Sequence, residues 1–199
     1  MPAARLPGWV DRFAERHGEL SWSATDASAT GLDAADGAAA VLHWPLPGVP
    51  VGDLDGLATR AGAADSRNLV LVRRGGWAVG SARGAELVRS RCGTRYVQGK
   101  TKAGGWSQQR YARRRAQQAD GLLEAVEAAV REVLAGTSGP VVLGGDRALL
   151  DRLLSSLGDT DVPSRVSPRR LDVPDPRLAV LRQAVVDAGA VEIDLNELA

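Results

Sequence analysis

Three apolar runs, NLVLVRR, WAVGSAR and ELVRSRC, fill residues 68–92, separated only by Gly75-Gly76 and Gly84-Ala85. Gaps this short turn the chain back on itself, so the segment reads as an antiparallel β-meander. Such a sheet has a face that something must cover. Ala119, Leu122, Leu123, Val126, Ala129, Val130, Val133 and Leu134 recur at helical spacing until Gly136, which predicts a long amphipathic helix with a glycine stop. PVVLGG then reads as a buried strand, and DRALLDRLLSSLG as a helix opened by Asp146. VPSRVSPRRLDV reads as extended chain, and DPRLAVLRQAVVDAG as a helix closed by Gly189. The order βββαβαβα predicts an α/β domain, a mixed β-sheet in which the antiparallel meander is followed by alternating α and β elements.

The chain before residue 67 carries weaker signals. Trp9 to His17 has the pattern of a short amphipathic helix, and Leu20 to Thr25 and Ala38 to Trp44 read as strands. ATGLDAADGAAA between them is loop-like, and HWPLPGVPVGD, with three prolines and two glycines, reads as an extended connection. The expected organisation is a lead-in over 1–66, packed on or extending the core, and a main domain over 67–199 with a mobile loop at 93–109. At 199 residues the chain is long enough for one ordinary core. Cys92 is the only cysteine, so no internal disulfide and no cysteine zinc cluster is possible. No signal-peptide core or span of about 20 apolar residues is present, and the expectation is a soluble cytoplasmic monomer.

Charge is distributed unevenly. The chain has a formal net charge of +1, yet from Leu87 to Ala119, a span of 33 residues, there is no Asp or Glu and there are nine basic residues. The remainder of the chain is therefore left with a formal −8. A mildly acidic body with one concentrated cationic segment is the electrostatic footprint of a polyanion site. The chain's only two lysines, Lys100 and Lys102, fall in this segment among 23 arginines elsewhere and within it.

Within the segment, KTKAGGWSQQRYARRR combines distinct devices. Arg110, Arg113, Arg114 and Arg115 load the early turns of the predicted helix, while Glu124, Glu127 and Glu132 fall late in it. Both ends then oppose the helix dipole, each charge costing about 0.3–1 kcal/mol. Phosphate suits a helix start of this kind, because backbone N–H groups, dipole and guanidinium groups attract the same anion. Trp106 and Tyr111 are placed either to stack on unpaired bases or to anchor the chain. Gly104 and Gly105 permit close approach of the backbone to a ligand. Gln108 and Gln109 do not titrate near neutral pH, so neither is an ordinary general base; an amide can orient water or donate to charge developing on oxygen. A solvated arginine-rich face is the competing structural reading, and the absence of interleaved acids argues against it.

A glycine-containing loop with a glutamine, after an antiparallel β unit and before a long basic helix, resembles the catalytic domain of archaeal and eukaryotic peptide chain release factors. Their loop reads Gly-Gly-Gln, which this chain lacks. Gly105-Trp106-Ser107-Gln108 is similar instead to the Gly-x-x-Gln form of the bacterial, actinobacterial-type Vms-like release factors, over roughly 68–199. The resemblance implies an RNase H-like, release-factor catalytic-domain-like fold and peptidyl-tRNA hydrolase activity in ribosome quality control and rescue. It implies a catalytic group of Gln108, Gly105, Gly104 and Ser107. It assigns RNA contacts to Arg95, Lys100, Lys102, Trp106, Gln109, Arg110, Arg113, Arg114 and Arg115. The implied partners are the large ribosomal subunit, peptidyl-tRNA and ribosomal RNA, with no cofactor, metal or membrane. Gln109 remains a rival for the catalytic place, and a noncatalytic ribosome- or RNA-binding module using the same basic loop is the alternative function.

Other constellations are weaker. A metal-dependent nuclease of the RNase H type needs a carboxylate set, but the first core strand ends in Arg73 and Arg74 where an acid is required. VVLGGD lacks the Lys-Ser/Thr signature of a phosphate-binding loop, so Asp146 reads as a helix N-cap. His17 and His43 form no metal-ligand pair.

Overall fold

The computed structural model describes residues 1–26, 28–46, 50–94 and 106–199, with the backbone alone at 24–26 and 106–116. In chain order the elements are α1 (Leu6–His17), β1 (Leu20–Asp26), β2 (Ala29–Ala34), β3 (Ala39–His43), α2 (Leu54–Gly62), β4 (Ser66–Arg73), β5 (Gly76–Arg83) and β6 (Glu86–Gly93). There follow α3 (Trp106–Val133), β7 (Val141–Gly145), α4 (Arg147–Ser156), β8 (Val166–Leu171), α5 (Leu178–Ala188) and β9 (Glu192–Leu195). They form two compact units, one of Met1–Ala64 with Val186–Ala199 and one of Asp65–Val185, the boundary falling inside α5.

The larger unit is built on a five-stranded sheet of order β6-β5-β4-β7-β8. β4, β5 and β6 pair antiparallel, with Val72 opposite Trp77 and Trp77 opposite Gly93. β7 and β8 continue the sheet in parallel with β4. This is the expected mixed α/β fold. A central strand covered on both faces reads as continuous apolar sequence, and β4 is buried from Arg67 to Val72. Val70, Val72, Trp77, Val79 and Leu143 form a core with Leu122, Val126 and Val130 of α3 and Leu150 and Leu153 of α4. At about 25 cal/mol per Å² of apolar surface, each fully enclosed leucine contributes about 1.5–3 kcal/mol. Asn68 is wholly buried and donates through Nδ2 to Ser138 O at 3.0 Å, tying β4 to the turn before β7.

The smaller unit departs from the expected division of the chain. ATGLDA, read as loop, is the strand β2, and α2 and β9 carried no reading as elements. The sheet order is β1-β2-β3-β9, so the last strand of the chain joins the lead-in rather than the domain that precedes it. Leu42 of β3 stands opposite Ile193 of β9. Leu6, Val10 and Phe13 of α1 pack with Leu32, Leu42, Trp44 and Leu57. Thr30 is buried without cost because its hydroxyl accepts from Trp44 Nε1 at 3.0 Å, and the Arg60 guanidinium lies 4.3 Å from the Trp44 ring.

Candidate functional site

The cationic segment is held at both ends by the larger unit. On the entry side, β6 finishes at Gly93 against the Trp77 ring: a Cβ on Gly93 would come within 2.6 Å of Trp77 Cε2 and Cζ2. Only glycine lets the ring lie flat on the strand there. On the exit side, α3 is 28 residues long, about 42 Å at 1.5 Å per residue. Leu122, Val126, Ala129, Val130 and Val133 are all buried, so the C-terminal half of the helix is part of the core. The apolar stripe begins at Ala119. The turns before it, Trp106 to Gln118, are thus positioned by the core yet add no aliphatic stripe to it.

Ser107, Gln108 and Gln109 were expected in a loop spanning 93–109, and here the structure differs. β6 runs to Gly93 and α3 begins at Trp106, so all three residues are helical. The reason is local: Gln, Arg and Ala are good helix formers, and QQRYARRRAQQA carries the helix backward until Gly104-Gly105, poor formers both, oppose it. Successive helix positions are rotated about 100° apart. Gln108 and Gln109 therefore occupy positions about 100° apart around α3. Trp106, Arg110, Arg113, Arg114 and Arg115 lie on the same first turns of α3. Gly104, Gly105, Arg95, Lys100 and Lys102 lie outside the described residues.

The structure also divides the nine cations of the segment. Arg91 of β6 is ion-paired with Glu132 of α3, and Arg89 donates through Nη2 to Ala135 O at 3.2 Å, just beyond the helix C-terminus. A cation at that end is favoured by the helix dipole. Glu127 accepts from Arg131 at 2.9 Å, Arg131 also bonds Asp159 at 2.8 Å, and Asp120 accepts from Arg152 at 2.6 Å. These hydrogen bonds raise the Arg131 pKa and hold the Asp159 carboxyl below its ordinary value. The expectation that the acids late in α3 simply oppose the dipole is thereby corrected: Glu127 and Glu132 have cationic partners, and Arg89 bonds a carbonyl just past the helix end. Arg89 and Arg91 serve the body, and sequence reading missed this because their partners lie more than 40 residues away. The side chains of the other seven cations, those expected to contact RNA, lie outside the described ones.

Elsewhere, Asp146 caps α4 as expected, its Oδ1 accepting from Leu149 N at 3.2 Å. His17 Nδ1 and His43 Nε2 each lie 2.9 Å from a carboxylate, Asp36 and Asp194 respectively. No helix among the described residues is long and apolar enough to cross a membrane.

A mixed sheet that hands its edge strand into a long helix, with arginines gathered in the sequence of the helix start, defines a mixed α/β domain. The family model of the Actinobacteria/chloroflexi VLRF1 release factor matches residues 65–194, and the chain belongs to this family. Among solved structures it is similar to the archaeal translation termination factor aRF1, with 17% identity and a TM-score of 0.47, over 78% of this chain and 48% of that one. It is also similar to a chain described as an archaeal protein, with 15% identity and a TM-score of 0.32, over 78% of this chain and 50% of the other. The chain spans about half the length of these structures. No curated protein matches it.

Proposed function

We propose that this chain is a cytoplasmic peptidyl-tRNA hydrolase that releases nascent peptides from stalled ribosomes or large subunits, with Gln108 as the catalytic residue. The observation that supports it most is the division of charge along α3. Cations near its buried half are matched to acids, whereas those around Gln108 have no acid within the same 33-residue span. A helix start of this kind binds phosphate, and it delivers an uncharged amide to the RNA-linked ester.

In the proposed reaction, water attacks the carbonyl carbon of the ester joining peptide to the tRNA ribose. The bond from that carbon to the ribose oxygen breaks, the peptide leaves with a free carboxyl group, and the ribose oxygen takes up the proton. Gln108 orients the water and donates to the developing oxyanion; one such donor is typically worth 10²–10³ in rate. The neighbouring ribose hydroxyl and ribosomal RNA carry the proton, so the chain itself needs no titrating group. Gly104 and Gly105 admit the ester end closely, Ser107 adjoins the amide, and the seven cations hold tRNA and ribosomal RNA.

The test is release of a labelled peptide from peptidyl-tRNA on isolated large subunits. The proposal expects release that depends on added protein. Tight, salt-sensitive binding without release would establish the noncatalytic RNA-binding module instead.

A further inference from the structure

Arg67 of β4 is the one charged residue among the buried ones described, with 8% of its surface exposed. Its Nε is enclosed without a hydrogen-bond partner, and among the described residues no hydrogen bond or ion pair reaches the rest of the guanidinium. Taking a charge out of water is costly unless a counter-charge or hydrogen bonds replace the water. Asp65, two residues away and exposed, acts on Arg67 only through space. Burial pushes the Arg67 pKa below its ordinary value, the Asp65 charge opposing that shift and the Arg169 charge adding to it.

Alternation along the strands sets what surrounds it. Arg67 shares a face of β4 with Leu69 and Leu71, opposite the face on which Val70 and Val72 meet α3. On β5 its neighbour is Ala82, whose methyl group offers no hydrogen bond. On the other side, Asn68, Val141 and Val166 stand in register across β4, β7 and β8, so Ser167 and Arg169 fall on the Arg67 face of β8. Ser167 is 6% exposed; its hydroxyl accepts from Arg169 N at 3.2 Å and keeps a proton to donate. Arg169 has contacts of its own and brings a second positive charge. This end of the sheet is the one away from Trp77 and Gly93, where the cationic segment departs.

We infer that Arg67 is the centre of a small-oxyanion site, with Ser167 and Arg169 as its further donors. An oxyanion supplies the acceptor that no described residue supplies, and guanidinium and hydroxyl groups are the donors that bind one. The ligand is small, because a side chain so little exposed offers no surface to a polymer backbone. Phosphate and carboxylate share this chemistry. The site is separate from the proposed hydrolase and stands at the other end of β4.

The experiment is thermal melting of the full chain in sodium phosphate or sodium acetate, each against sodium chloride at equal ionic strength and pH. The variants are Arg67→Met and, as control, Arg170→Gln, which follows Arg169 on β8 but takes the other face, 3.6 Å from Asp151. Near saturation, the better of the two anions is expected to raise the melting temperature of wild type and Arg170→Gln by about 4 °C, and that of Arg67→Met not at all. Which anion acts names the class of ligand. In chloride, Arg67→Met should melt at or above the wild-type temperature, because it keeps the length of the side chain and removes an unmatched charge. A rise that persists in Arg67→Met belongs to other cations of the chain and overturns the site. The absence of a rise with both anions overturns it too, as does a fall of several degrees for Arg67→Met in chloride, which would show the guanidinium to be satisfied already. Amide NMR shifts of the wild type read the site without any variant. The active anion should move Arg67, Ala82 and Ser167 together; shifts confined to other residues overturn the inference. Peptide release plays no part in these readouts, so either proposal can fail alone.

Discussion

The two halves of α3 meet their charge in opposite ways. From Asp120 onward every ion pair identified on the helix is closed within the larger unit: Asp120 with Arg152, Glu127 with Arg131, Arg131 with Asp159, Glu132 with Arg91. The apolar face of that half is sealed against the sheet. Before Ala119 the sequence supplies arginine and glutamine with no acid nearby. One helix thus spans from an anchor, where charge is compensated and stability resides, to a start whose sequence carries basic charge without neighbouring acids, the end that the proposed function assigns to a partner. The lesson is that a basic stretch must be divided before it is read as a binding surface.

The comparison is broken most forcefully at its anchor. Leu122 is fully buried, and Leu122→Ala is expected to cost about 2–5 kcal/mol in chemical denaturation. A loss below about 1 kcal/mol would mean that the helix is not held by that face. Next in size, reversing Arg113 and Arg114 together to Glu should lower RNA affinity by on the order of 10²-fold. Thermal stability should hold or rise slightly, because those cations oppose the dipole. A collapse in melting temperature would place the two arginines in the anchor instead. Arg91→Gln should do the reverse, costing up to about 1 kcal/mol of stability as an exposed pair is lost. RNA affinity should stay within about twofold of wild type; a tenfold fall would move β6 into the binding surface.

The smallest effect concerns pH. The Asp159 carboxyl is held below its ordinary value of 3.8 by hydrogen bonds from Arg131. A depressed carboxylate stabilises the fold above the unfolded value and loses that contribution as pH falls through the folded one. Melting curves of wild type and Asp159→Asn should therefore differ at neutral pH and converge towards acid. A gap that persists below the folded value would show that the pair does not titrate as described.

Much of the larger unit was legible because its signals are local. The runs in β4, β5 and β6, the two-residue turns and the stripe from Ala119 to Leu134 each state their structure within a few residues. β2 was hidden because it is built from small residues: Ala29, Thr30 and Gly31 imitate a loop. β9 is four residues whose strand character comes from pairing with β3, about 150 residues earlier. At the candidate site, the charge was visible but its division was not, since the partners of Arg89 and Arg91 are distant in sequence. The helical state of Gln108 was legible in the helix formers that follow it, and the nearby glycines drew the reading towards a loop instead.

That helical state makes the central claim testable at single-residue resolution, because adjacent positions on a helix are not interchangeable. The decisive measurement is the single-turnover rate of peptide release from peptidyl-tRNA on large subunits for Gln108→Ala and Gln109→Ala, each with RNA affinity measured in parallel. The account predicts that Gln108→Ala slows release by on the order of 10²–10³ with binding nearly intact, while Gln109→Ala retains most of the rate. Release that survives in Gln108→Ala and disappears in Gln109→Ala would contradict it.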